Sequence, residues 1–112
     1  MIQKFDYNYD FYNAKAIFEV DTEKLKKKDA ILYLDFFAWK YDKEANPIDE
    51  LLKKMAIMVI RIATSENYSS EGVINWSIDA EGVIPLDGSS GIKLIDVESY
   101  EFDEELLELT LS

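Results

Sequence analysis

The sequence predicts an α+β protein, with an antiparallel sheet of about five to six strands and two helices packed on one face, in the order ββααββββ. Three observations predict this class. Aromatic and polar residues alternate near the start, an amphipathic helical pattern follows Asn46, and short alternating apolar segments fill the chain after residue 72. The length of 112 residues suits one domain, spanning residues 1–112.

Two strands are predicted at the start of the chain. Residues 5–11 alternate aromatic and polar side chains, which is the period of a half-buried strand. In residues 14–20 every second side chain is apolar, and only two residues separate this run from the first. An antiparallel hairpin is therefore expected, ending at the turn-favouring residues Asp21 and Thr22.

Two helices are predicted next. Residues 29–41 are apolar almost throughout, so the pattern leaves helix and strand both open, and the length of the run favours a buried helix. The second helix has clearer signals, because Asn46 is a good N-cap and Pro47 suits the first helical position. A broad apolar stripe follows from residue 51 to residue 63, and Ile57 interrupts the polar face opposite it.

The remainder of the chain predicts sheet. The expected strands are 72–78, 83–84, 92–102 and 106–111. In the first of them Ile74, Trp76 and Ile78 alternate with polar residues and are expected to face the core. Turn-forming residues at 79–82 and 87–91 separate these strands.

Composition excludes several kinds of site. The chain has no cysteine and no histidine, which removes disulfides, thiolate and imidazole metal ligands and the Ser-His-Asp triad. No catalytic, cofactor-binding or metal-binding residue is assigned; the sequence does not decide whether the protein is an enzyme, and it favours a non-catalytic one. Residues 1–6 have neither the basic start nor the apolar run of a signal peptide, so a cytoplasmic location away from membranes is expected.

The net charge of −11 is confined to the C-terminal part. Residues 1–65 contain 11 acidic and 11 basic side chains, whereas residues 66–112 contain 12 acidic side chains and one basic residue, Lys93. Such a surface repels phosphate backbones and attracts basic proteins. A basic protein partner is therefore expected, with no direct binding of nucleic acid.

The residues assigned to partner binding are seven carboxylates near the C-terminus, here called the acidic row. They are Asp96, Glu98, Glu101, Asp103, Glu104, Glu105 and Glu108. Apolar residues alternate with them, so a strand of this kind would display the charges above a packed face. The alternative is an edge strand that is charged to prevent aggregation.

Four blocks of the sequence carry a resemblance. They are residues 36–42 (FFAWKYD), 46–50 (NPIDE), 87–92 (DGSSGI) and 100–104 (YEFDE). On these blocks the chain resembles a family of small acidic proteins of unknown function from bacteria and phages. The resemblance covers most of the chain, and it implies no activity, cofactor or catalytic residue.

Three functions remain open at this stage. The leading one is a non-catalytic interaction module whose acidic C-terminal face binds a basic partner, as a nucleic-acid mimic or an immunity-type inhibitor. The second is a small hydrolase or metal-dependent enzyme that uses carboxylates near Asp79, Glu81 and Asp87. The third is a structural, oligomeric accessory protein that associates through Ile57 or the aromatic residues of the first strand. The sequence leaves the oligomeric state open.

Overall fold

The chain forms three strands and three helices within residues 1–9, 14–80 and 83–100, which the computed structural model describes. The elements are β1 (Ile2–Tyr9), β2 (Ala14–Asp21), α1 (Lys27–Phe36), α2 (Pro47–Glu66), α3 (Ser70–Asp79) and β3 (Ile92–Glu98). The α+β class and the initial hairpin are present. The predicted five to six strands and two helices are wrong for this part of the chain.

The three strands form one antiparallel sheet in the order β1-β2-β3. Phe18 of β2 lies between Phe5 of β1 and Leu94 of β3. The register of the second pair shifts next to Phe18, because Ile17 is opposite Asp96, and this makes Ile95 the extra residue of a bulge.

The core lies between one face of this sheet and α2. Every second residue of β2, from Ala14 to Val20, is completely buried on that face. The apolar stripe of α2 packs over it, and the stripe includes Leu51, Leu52, Met55, Val59 and Ala63. Because α2 also contacts β1, β3, α1 and α3, it is the element around which the others are arranged.

Both ends of α2 have clear local causes. The Asn46 side-chain oxygen accepts a hydrogen bond from the Ile48 N–H at 3.0 Å, and Pro47 occupies the first helical position. At the other end Asn67 adopts the left-handed conformation, with φ of 56°. Asparagine tolerates this conformation better than most residues, and a left-handed residue ends the helix. The predicted start of this helix is confirmed.

The helix predicted over residues 29–41 is present but shorter, because it ends at Phe36. Ala38 takes the left-handed conformation, its N–H bonds to the Asp35 carbonyl, and the Trp39 N–H bonds to the Leu34 carbonyl. These two bonds are those of a Schellman motif, which usually has glycine at the position of Ala38.

The strand predicted at 72–78 is wrong, since these residues belong to α3. The Ser69 hydroxyl accepts from the Gly72 N–H and caps the helix. Val73 and Ser77, four residues apart, are buried, whereas Ile78 is 50% exposed. Burial at helical spacing therefore outweighed the alternation of apolar residues. The buried Ser77 hydroxyl has a hydrogen-bond partner, because it accepts from the Leu86 N–H.

The other predicted strands change as well. Residues 83–84 form no strand, although Ile84 is buried. The strand predicted at 92–102 ends at Glu98 in β3, and the part of it beyond residue 100 lies outside the described residues. The strand predicted at 106–111 lies wholly outside them.

A hydrogen bond connects β1 to α2. The Tyr7 hydroxyl donates to the Asp49 carboxylate at 2.6 Å across 42 positions of sequence. Burial of the hydroxyl, and then the neighbouring Asp49, raise the pKa of Tyr7 far above its ordinary value of 10.0. This bond fixes the outer strand on the helix layer in the protonated form of the tyrosine.

We expect Y7F to lower the free energy of unfolding by about 1 kcal/mol at neutral pH, because it removes a part-buried bond to a charged acceptor. Y41F is the matched control, since the Tyr41 hydroxyl bonds to Asp35 at 3.3 Å in an exposed setting. Urea unfolding measures both variants. Equal costs for Y7F and Y41F would contradict this assignment.

The same bond predicts a pH dependence. Above the ordinary pKa of 10.0 the unfolded chain loses the Tyr7 proton while the folded chain keeps it, so stability falls as pH rises. Y7F lacks this hydroxyl. The stability advantage of the unmodified chain over Y7F should therefore be constant from about pH 7 to 9 and shrink above about pH 10. An advantage that grows with pH would refute the direction of this pKa shift.

Candidate partner-binding surface

Two residues of the acidic row, Asp96 and Glu98, lie on β3. Asp96 is half-buried and Glu98 is exposed. The other five, Glu101, Asp103, Glu104, Glu105 and Glu108, lie outside the described residues. The structure therefore places the beginning of the row on β3, the last strand within the described residues.

A lysine from the neighbouring strand contacts both of these carboxylates. The Lys15 ammonium lies 3.5 Å from the Asp96 carboxylate and 3.4 Å from the Glu98 carboxylate. The hydrogen bond and charge of Glu98, and then Asp96, raise the pKa of Lys15. One cation thus offsets part of the charge at the beginning of the acidic row, a feature that the sequence did not reveal.

The Ser70 hydroxyl, at the start of α3, holds Asp96 from the other side. It donates to the Asp96 carboxylate at 3.2 Å and accepts from the Val97 N–H at 3.0 Å. It therefore satisfies one outward backbone group of β3 and orients a carboxylate of the row. Sequence reasoning missed Ser70, because it assigned the following residues to a strand.

Further acidic residues lie on the elements next to β3. Glu71 and Asp79 of α3, and Asp87 before β3, are exposed. In the part of residues 66–100 that the structure describes, Lys93 is the one basic side chain. Since β2 separates β3 from β1, this acidic side lies at the sheet edge opposite β1.

The segment 87–91 forms the predicted turn. The Asp87 carboxylate accepts from the N–H and the hydroxyl of Ser89, at 2.9 and 2.6 Å, and these bonds lower its pKa. The Gly88 N–H bonds to the Ile92 carbonyl at 3.0 Å, which joins the turn to β3. The carboxylate of Asp87 is therefore used within the turn.

Of the alternative catalytic residues the structure describes Asp79 and Asp87, and no hydrogen bond joins these two side chains. Asp79 ends α3, Asp87 is bonded to Ser89, and Glu81 lies outside the described residues. Among the residues that the structure does describe, no group of three or more acidic side chains is arranged to hold a metal ion.

An open groove begins where β3 ends. It has a volume of about 1040 Å³ and is lined by Tyr9, Ile57, Arg61, Thr64 and Tyr100, among others. The Thr64 hydroxyl accepts from the Tyr100 N–H at 2.9 Å, and the Tyr9 and Tyr100 rings meet edge to face, 5.9 Å apart. Ile57, the apolar residue on the polar face of α2, is 37% exposed and faces this groove.

No protein-family model matches the chain, and no curated protein or solved structure matches it significantly. The resemblance to small acidic bacterial and phage proteins therefore stays a prediction. None of the helices within the described ranges has the length and apolar character needed to cross a membrane.

Two glycines of the 87–91 turn provide a matched test of how this turn supports β3. Both have positive φ, 94° at Gly88 and 95° at Gly91, so alanine is strained at either position. A methyl group at Gly91 would also lie 2.9 Å from the Leu25 backbone nitrogen, whereas at Gly88 the nearest atom is 3.8 Å away.

We therefore expect G88A to cost about 1–2 kcal/mol of unfolding free energy, and G91A to cost about 1–3 kcal/mol more because of the clash. Chemical denaturation of both variants measures the difference. Equal destabilisation by G88A and G91A would contradict the close packing of the turn against residues 24 and 25.

Proposed function

We propose that this chain is a non-catalytic interaction module whose acidic C-terminal part binds a basic protein. The observation that carries the proposal is the charge distribution, with the whole net charge of −11 in residues 66–112 and none in residues 1–65. A localised field of one sign attracts a partner of opposite charge and orients it during approach.

The arrangement around β3 supports this proposal. Ser70 orients the Asp96 carboxylate, and Glu98 is exposed on the same strand, β3, where the acidic row begins. Their one close cation, among the contacts of the described residues, is Lys15, which is only 31% exposed and is carried by the neighbouring strand. A basic side chain of a partner would compete with Lys15 for these carboxylates.

The partner class follows from the same chemistry. A row of carboxylates repels nucleic acid and resembles its charged backbone to a protein that binds nucleic acid. We therefore propose a nucleic-acid-binding protein or a basic enzyme as the partner, with the chain acting as a mimic or an immunity-type inhibitor. Affinity should fall steeply as salt rises, because exposed charges are screened beyond about 8 Å at physiological ionic strength.

A pair of double variants tests the location of binding. D96N/E98Q removes two charges of the acidic row, and D42N/E44Q removes an Asp and a Glu at the same spacing in an exposed loop between α1 and α2. With decalysine as the probe, calorimetric titration should show about tenfold weaker binding for D96N/E98Q, since each exposed pair contributes up to about 1 kcal/mol. Equal losses for both variants would mean that only the total charge matters, which would refute the site.

Removal of Lys15 should have the opposite effect. K15A leaves Asp96 and Glu98 without their cation, so binding of decalysine should tighten. K43A is the control, because it removes an exposed lysine in the loop between α1 and α2, and it should change the affinity less. Titrations at about 50 and 300 mM salt check the electrostatic origin. An affinity that is independent of salt would contradict the proposal, and capture from the native host at low salt would identify the partner itself.

A further inference from the structure

The outer edge of β1 is unpaired within the described part of the chain. The opposite edge of the sheet is covered, because the Leu94 N–H bonds to the Leu86 carbonyl and the Val97 N–H bonds to Ser70. In contrast, β1 is the first strand in the sheet order, and among the described elements it contacts only β2 and α2. An uncovered strand edge is a template for pairing with another strand.

The hydrogen bonds fix which residues of β1 face outward. The Thr22 N–H bonds to the carbonyl of Met1, the residue opposite it. Because the register of β1 and β2 has no shift, the odd-numbered residues of β1 are those whose backbone groups form hydrogen bonds with β2. The backbone groups of Ile2, Lys4, Asp6 and Asn8 therefore point away from the sheet, since bonding alternates along an antiparallel pair. Their side chains lie on the face opposite the helices, because their cross-strand partners in β2 do not face the core.

The charges of this edge complement each other under a two-fold axis. If two copies of β1 pair antiparallel with the axis at Phe5, Lys4 of each copy lies opposite Asp6 of the other, and Ile2 lies opposite Asn8. All four are outward-facing residues, so both backbone bonds of every such pair can form. Opposite charges directly across an antiparallel pair are stabilising.

The neighbouring registers lack this complementarity. Moving the axis to Lys4 sets two lysines against each other, and moving it to Asp6 sets two aspartates against each other, which is destabilising. Within one chain Asp6 is opposite the apolar Ile17, whereas Lys4 is opposite Glu19. The axis at Phe5 therefore gives Asp6 a cation that its own sheet does not place opposite it.

The remaining surroundings of the edge favour a second copy as the occupant. On the helix side the axis brings together the two Phe5 rings, each of which is already partly buried and stacked on Tyr7 at 6.5 Å. The acidic side of the molecule lies beyond β3, across the sheet. Two chains joined at β1 would therefore keep their strongly acidic surfaces apart.

We propose that two copies of this chain pair through β1 in the register centred on Phe5, which forms a continuous six-stranded sheet. This inference is independent of the acidic row, whose described members, Asp96 and Glu98, lie on β3 at the two far ends of the joined sheet. The dimer presents that row twice to a basic partner.

Charge exchange at the edge tests the register. Sedimentation equilibrium of the full chain should show a concentration-dependent dimer. D6K, which sets lysine against Lys4 of the second copy, should weaken it roughly tenfold or more, because two pairs change from attraction to repulsion. E44K makes the same charge change in an exposed loop and should leave the dimer intact. The exchange K4D/D6K should restore the dimer.

Cross-linking tests the same register independently of charge. The chain contains no cysteine, so each substitution introduces a unique thiol. Residues at the axis form a closely spaced pair with Cα atoms about 4.5 Å apart, which a disulfide can bridge. F5C should therefore give a disulfide-linked dimer with oxidised glutathione. Q3C and Y7C should each fail alone and cross-link when mixed.

Three results would overturn the proposal. One is a monomer at all concentrations. In that case, slow hydrogen exchange of the Lys4 and Asp6 backbone amides would show that residues of the same chain pair with this edge. Another is a dimer that D6K leaves unchanged, and the last is a D6K defect that K4D/D6K does not repair. Circular dichroism shows whether each variant is folded. If D6K does not fold, the cross-linking of F5C decides the register.

Discussion

The packing of α2 on the buried face of β2 is the interaction on which the rest of the structure depends. The stripe of this 20-residue helix covers four side chains of β2 that are completely inaccessible to water. Removing such surface from water contributes roughly 25 cal/mol per Å². Each other element also contacts α2, and β1 and β3 pair with the two sides of β2.

The two edges of the sheet then differ in what surrounds them. At β3, Ser70 and residues 86–88 satisfy outward backbone groups, and the exposed side chains nearby are mostly acidic. At β1 the outward backbone groups have no partner among the described residues, and the outward-facing residues Lys4 and Asp6 carry opposite charges. This difference supports both proposals, contact of the β3 edge with a basic partner and backbone pairing of two copies at β1.

The sequence predicted the features that depend on local pattern. Alternation identified the hairpin, and Asn46 with Pro47 identified the start of α2. It failed at residues 72–78, because Ile74, Trp76 and Ile78 alternate like a strand. The local Ser69 cap and the burial of Val73 and Ser77 at helical spacing favour a helix instead. The end of α1 was missed because Ala38 takes a conformation usually reserved for glycine. For the acidic row, Lys15 is 81 positions from Asp96, and only the strand register brings them together.

Native-state hydrogen exchange tests the central role of the α2–β2 contact most directly. If this contact determines the fold, the slowest amides should lie in β2 and in the middle of α2, and they should share one opening free energy equal to that of global unfolding. The amides of α1 and α3 should open at lower cost. Slowest exchange in α1 or α3, or separate opening free energies for β2 and α2, would contradict the account.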